Sequence, residues 1–117
     1  MTNILHTELL PKGGKKVTVN DTIVSYYNAD GELHREDGPA MISPEGTQWW
    51  MMNGKVHRVN GPAIIYQDGE YEFVYNDLVA TRFVNKRIKE LGLTQETMDE
   101  EDYMAIYTEY LIQQKKS

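Results

Sequence analysis

A chain of 117 residues with 12 Lys+Arg against 18 Asp+Glu carries a formal charge of -6, is 40% hydrophobic and has no cysteine. That length suits one domain with its own core, since a chain of this size buries roughly two-thirds of its unfolded surface. The missing thiol excludes disulfide frameworks, zinc-thiolate sites, Cys nucleophiles and iron-sulfur clusters.

The apolar stretches at 49–52 and 63–66 fall far short of the ~20 residues that span a bilayer. The first residues lack the apolar segment of a signal peptide, so a soluble, cytoplasmic protein is expected. Residues 1–16, with Pro11-Lys12-Gly13-Gly14-Lys15-Lys16, read as a mobile N-terminal arm or a peripheral strand.

A repeat dominates the middle of the chain. Leu33-His34-Arg35-Glu36-Asp37-Gly38-Pro39-Ala40 returns 23 residues later as Val56-His57-Arg58-Val59-Asn60-Gly61-Pro62-Ala63. At the same offset Trp49-Trp50 match Tyr26-Tyr27, Trp50 matches Phe73, Asn53-Gly54 match Asp30-Gly31, and Asn53 matches Asn76. Six of the nine glycines follow Asp, Glu or Asn, the pairs that suit tight turns, and strand formers fill the segments between them. Two short strands per unit, joined by links too short for a crossover helix, predict an antiparallel meander over 22–76. Strand alternation places Tyr27, Trp50 and Phe73 as a ladder on one face, leaving Trp49 on the other.

From residue 78 the period changes. Val84, Ile88 and Leu91 fall at i, i+4 and i+7 before Gly92, predicting a helix over 79–91. Thr97 and Glu100 have the spacing of a capping box. Behind them Tyr103, Ile106, Tyr107, Tyr110 and Leu111 form the stripe of a second, amphipathic helix. That stripe either packs on the sheet and first helix or forms a homodimer or partner contact. The fold class is therefore α+β, one domain with a repeat β-sheet and a C-terminal helical pair spanning 78–116.

The charge is uneven: about +2 over 1–19, -7 over 20–77, +3 over 78–93 and -4 over 94–117. Only Arg35, Lys55 and Arg58 could neutralise phosphates in the central region, so nucleic-acid binding is not expected. The basic cluster Arg82, Lys86, Arg87 and Lys89 reads as a solvated helix face.

The aromatic-x-x-Asn-Gly-Lys-x-His pattern resembles MORN repeats. Its N-G-K-x-H-R-x-x-G-P-A form is similar to a variant repeat of small tailed-bacteriophage and bacterial proteins. Here Arg35 and Arg58 replace the glycine that usually follows His, and Gly38 and Gly61 fall one position later. The resemblance implies a MORN-like meander that scaffolds protein contacts, with no catalytic residue and no cofactor. It also implies a phage-encoded accessory protein acting on a host factor.

The His34-Arg35 and His57-Arg58 pairs are the recurring polar groups with chemical potential. Each His could bond a neighbouring turn and each Arg pair with an acidic neighbour such as Glu36 or Asp37. Alternatively, with Tyr26 and Trp49, they could bind a protein partner or a small anionic ligand such as a nucleotide signal. No metal-site spacing, Gly-rich phosphate loop or serine nucleophile motif is present. A non-enzymatic binding protein is the expectation.

Overall fold

A computed structural model of the chain describes residues 4–116. Its strands are β1 (Leu5–Leu9), β2 (Lys15–Val19), β3 (Ile23–Tyr27), β4 (Met41–Ile42), β5 (Gln48–Trp49), β6 (Met51–Met52), β7 (Lys55–Val56), β8 (Ile64–Ile65), β9 (Tyr71–Glu72), β10 (Val74–Tyr75) and β11 (Leu78–Val79). Two helices complete the chain, α1 (Thr81–Glu90) and α2 (Glu100–Lys116). The fold is α+β: an antiparallel meander in the order β1-β2-β3-β4-β5-β8-β9, with hairpins β6-β7 and β10-β11 beside it and two C-terminal helices. The molecule is elongated, measuring 51 × 30 × 27 Å.

Of the segment 1–16, the described residues form the peripheral strand β1, a turn and the start of β2. Residues 1–3 lie outside the described residues, and from Leu5 the chain forms β1, turns at 11–13 and enters β2. The sheet therefore begins well before residue 22. Gly14 is buried in this turn, where a Cβ would lie 2.1 Å from the Tyr27 carbonyl oxygen. Only a residue without a side chain lets β2 approach β3 there.

Each repeat unit is a strand that changes partner at its aromatic residue. Before Trp50 the chain pairs with the main sheet, Trp49 lying between Met41 and Ile64. After it, Met51 and Met52 pair with Val56 and Lys55 in a hairpin. The turns Asn53-Gly54 and Asn76-Asp77 have positive φ at both central residues, as a two-residue hairpin with right-handed strand twist demands.

Unit register departs from the constant 23-residue offset. The N–H of His34 donates to the Tyr26 carbonyl, that of His57 to Trp50 and that of Ala80 to Phe73. Tyr26, Trp50 and Phe73 are thus the equivalent residues, and Tyr27 corresponds to Met51 instead of Trp50. The first hairpin carries one extra residue in its loop. The Asn28 side chain organises that loop by accepting the N–H groups of Asp30 and Glu32.

The helices terminate the repeat. Ala80 and Thr81 stand where His57 and Arg58 stand one unit earlier, and the chain turns into α1 instead of another hairpin. The Thr81 hydroxyl oxygen accepts the Phe73 N–H that a further strand would have taken, and its proton goes to the Glu72 carboxylate. Gly92, at φ 70, ends α1. The capping box of α2 is Asp99 with Asp102, each side chain accepting the other's N–H at 2.9 and 3.1 Å, while Thr97 bonds Thr94. The box has the expected spacing but sits two residues later than Thr97 implies.

The core lies between the last repeat and the helices. Phe73, Val84, Tyr103, Ile106 and Tyr107 are buried, with Tyr103 against Phe73 at 6.0 Å and Tyr107 against Tyr75 at 5.2 Å between ring centroids. Arg87 on α1 clasps Glu109 on α2 through two hydrogen bonds, and this acceptor raises the guanidinium's pKa. Tyr103, Ile106 and Tyr107 of the α2 stripe belong to this interior, Tyr110 packs against it, and Leu111 is part-exposed. Gly14→Ala should cost about 3 kcal/mol, because the obstacle is backbone. Gly61→Ala should cost about half as much, its obstacle being the tip of a flexible arginine. Urea unfolding midpoints of the two variants check the order.

Candidate functional site

The recurring arginines are enclosed by their own units. Arg58 lies over the Trp50 ring at 4.1 Å, donates to the Pro62 carbonyl at 3.0 Å and reaches the Asn60 side chain at 3.4 Å. Arg35 repeats this on Tyr26 at 4.1 Å, the Pro39 carbonyl at 3.2 Å and Asp37 at 2.9 Å. A Cβ on Gly38 or Gly61 would sit 2.9 Å from the guanidinium carbon, so the motif's glycine is the space the arginine occupies. The hydrogen bond and charge of Arg35 hold the Asp37 carboxyl below its ordinary pKa. Burial lowers the Arg58 pKa, which from its high starting value leaves the group charged.

The histidines tie each unit to the next. Nδ1 of His34 accepts the Asn53 N–H at 3.0 Å, and Nδ1 of His57 accepts the Asn76 N–H at 3.0 Å. Both therefore carry their proton on Nε2 and cap the start of the neighbouring turn. Adjacent residues diverge here as strand geometry requires, His toward the next unit and Arg back over its own.

Of the six candidate residues, five lie along one side of the array. Tyr26, His34 and Arg35 border an open cleft of about 630 Å³ against the β1-β2 turn. Arg35, His57 and Arg58 border a second of about 400 Å³ that includes Trp50 and Glu100. In the first cleft, Lys12, His34 and Arg35 face Asp30, Glu36 and Asp37, so the lining has no cationic excess. Glu36 is shared between Lys12 at 3.7 Å and His34 at 3.8 Å. Among the described residues, no group of three His, Asp or Glu converges as a metal site would require.

Trp49 belongs to the opposite face. Its row across the sheet is Thr7, Val17, Ser25, Met41, Trp49, Ile64 and Glu72. Tyr71 and Phe73 point toward the helices, Tyr71 donating to Asn85 and Phe73 meeting Tyr103, while the Trp49 row reaches a helix at its last member, Glu72, which accepts the Thr81 hydroxyl at the start of α1. Val17, Met41, Trp49 and Ile64 are all part-exposed, and none belongs to the core cluster. Sequence reasoning missed Trp50 as the arginine's platform. The spacing misleads between units, since Trp50 precedes His57 by seven residues whereas Tyr27, not Tyr26, stands seven before His34.

No family model, curated protein or solved structure matches this chain. No helix among the described residues is long and apolar enough to cross a membrane.

Burial holds the His57 pKa below its ordinary 6.5. The unfolded chain then binds that proton more readily than the folded one. Stability from this group is complete above about pH 6.5 and drains as pH falls through 6.5 toward the folded-state value. Chemical denaturation at about pH 7.5 and about pH 5.5 should show the loss. His57→Ala should start about 0.5–1.5 kcal/mol less stable, having lost the hydrogen bond to the exposed Asn76 N–H, and should show a shallower pH dependence.

Proposed function

We propose that the protein is a non-enzymatic protein-interaction module, a MORN-like repeat sheet whose partner seats on the Trp49 face. One observation carries this reading: the repeat's chemically capable side chains are bound within their own array, while Met41, Trp49 and Ile64 form a part-exposed apolar row outside the helix-packed core. Apolar rows left open on a sheet are characteristic of association surfaces. The -7 carried by residues 20–77 favours a partner with a basic rim, which such a field steers toward contact. The sequence resemblance extends the proposal to a phage-encoded accessory protein that binds and modulates a host factor.

An anionic nucleotide is the weaker reading. Its proposed anchors, Arg35 and Arg58, would have to leave an aromatic face and a carbonyl, and Asp30, Glu36 and Asp37 stand in the cleft beside them. A ligand at 100 times its dissociation constant would stabilise the fold by about 2.7 kcal/mol. A panel of mono-, di- and cyclic nucleotides is expected to leave the melting temperature unchanged.

The interaction reading is tested by comparing host-lysate retention on immobilised wild type and on Trp49→Arg, at low and at physiological salt. The wild type should retain a basic protein that the variant loses at unchanged melting temperature. Equal retention on both, or none at either salt, would remove the Trp49 face from the proposal.

A further inference from the structure

The outer edge of β1 is unpaired among the described residues, and with Ile4 it carries the three most exposed large hydrophobic residues among them. Ile4 is 68%, Leu5 66% and Leu9 82% exposed. Inward bonding falls on the even residues: the Asn20 N–H donates to the Ile4 carbonyl at 2.8 Å and the Leu10 N–H to the Gly14 carbonyl at 2.9 Å, with the β1-β2 register between them. By antiparallel alternation, Leu5, Thr7 and Leu9 direct their N–H and C=O groups outward. Natural edges are ordinarily blunted by proline, lysine or a bulge, and β1 contains none of these.

The sequence of this edge is complementary to itself. Read from either end, Ile4-Leu5-His6-Thr7-Glu8-Leu9-Leu10 runs two apolar residues, a titratable one, threonine, a titratable one of the other kind, and two apolar residues. We propose that the protein forms a two-fold homodimer by antiparallel pairing of β1 with β1 of a second copy, centred on Thr7.

In that register Leu5 faces Leu9 of the second copy, His6 faces Glu8, Thr7 faces Thr7, and Ile4 faces Leu10. The outward groups of Leu5, Thr7 and Leu9 are the ones that exchange backbone hydrogen bonds, which an axis through Thr7 requires. His6 and Glu8 then form the closer, non-hydrogen-bonded pairs, where cross-strand charge complementarity acts most strongly. The contact is isologous and closes at two copies. Pro11, with no N–H to donate, ends the pairing beyond Leu10. The sheet continues across the axis without a break, so the two Trp49 rows share one face. The dimer does not depend on the proposed partner, since the edge alone defines it.

Sedimentation velocity and light scattering on the full chain, from about 5 to about 200 µM, a span wide enough to populate a micromolar dimer, should report twice the 13.5 kDa chain mass. Thr7→Pro removes an outward N–H, leaves β1-β2 bonding in place, and should give a monomer with the wild-type circular dichroism spectrum. A charge exchange keeps the test independent of that variant's folding. His6→Glu and Glu8→Lys should each weaken self-association about tenfold, as two lost or repulsive pairs would. An equimolar mixture of the two should restore it, because each chain then offers the other opposite charges. A chain of single mass at every concentration overturns the proposal, as does a dimer indifferent to all three substitutions, which would be built elsewhere.

Discussion

A guanidinium drawn partly out of water needs partners on every side, and each repeat is arranged around supplying them. Arg58 has a ring face beneath it, the Pro62 carbonyl at its end and the Asn60 amide beside it. The stacking is worth about 0.5–2 kcal/mol, and hydrogen bonds to a charged donor about 1.5–3 kcal/mol. These gains must offset desolvation; the two units keep the same Gly, Pro and Ala around the arginine, while its ring varies between Tyr26 and Trp50 and its side-chain acceptor between Asp37 and Asn60. Glycine leaves room for the guanidinium, proline presents its carbonyl at a fixed φ, and the following alanine, wholly buried in both units, fits where nothing larger would. An arginine held in this way is a poor ligand anchor, because a ligand withdrawing it would have to replace the ring, the carbonyl and the side-chain acceptor together.

Termination of the array follows from the same residues. With Ala80 and Thr81 in the His and Arg positions, the third unit has neither strap nor clamp, and Phe73 and Tyr75 have no arginine or later hairpin to cover them. Tyr103 and Tyr107, one helical turn apart on α2, cover them instead. The Tyr107 hydroxyl is buried in this interior with no protein hydrogen-bond partner among the described residues, and burial raises its pKa. Such a group costs about 1–3 kcal/mol, which the surrounding aromatic contacts absorb. The helices are thus a cap on one end of a repeat stack, the role terminal units play in repeat proteins generally.

The architecture was legible in the sequence because turn glycines and the 23-residue return are local, one-dimensional signals. The side chains that close each unit were partly legible. Asp37 was one of two acidic neighbours available to Arg35, and only the fold separates it from Glu36, which turns to Lys12 and His34. The register of the aromatics was not legible. The doublets Tyr26-Tyr27 and Trp49-Trp50 align equally well in two ways, and a single added loop residue around Asn28 decides between them. A one-residue slip inverts every side chain's face, so that small ambiguity moved Trp50 from an anonymous ladder to the arginine's platform. The cap of α2 failed similarly: Asp99-Asp102 and Thr97-Glu100 overlap, and the helix uses the pair nearer its apolar stripe.

The two ends of the sheet are treated differently, and that asymmetry bears on function. At the β9 end, Thr81 and the helices satisfy the last unit's backbone and bury its rings. At the β1 end no described element pairs with the outer edge, the leucines are exposed and the titratable residues lie symmetrically about Thr7. Random collisions between copies are opposed by a net charge of -6 on each, so indiscriminate edge pairing is discouraged at long range. Only a register that brings opposite charges and apolar residues together locally can prevail over that field. Thr7, at the centre of this edge, also begins the row that runs through Val17 and Met41 to Trp49. The edge and the Trp49 row therefore belong to one sheet face, which a second copy paired at β1 would extend.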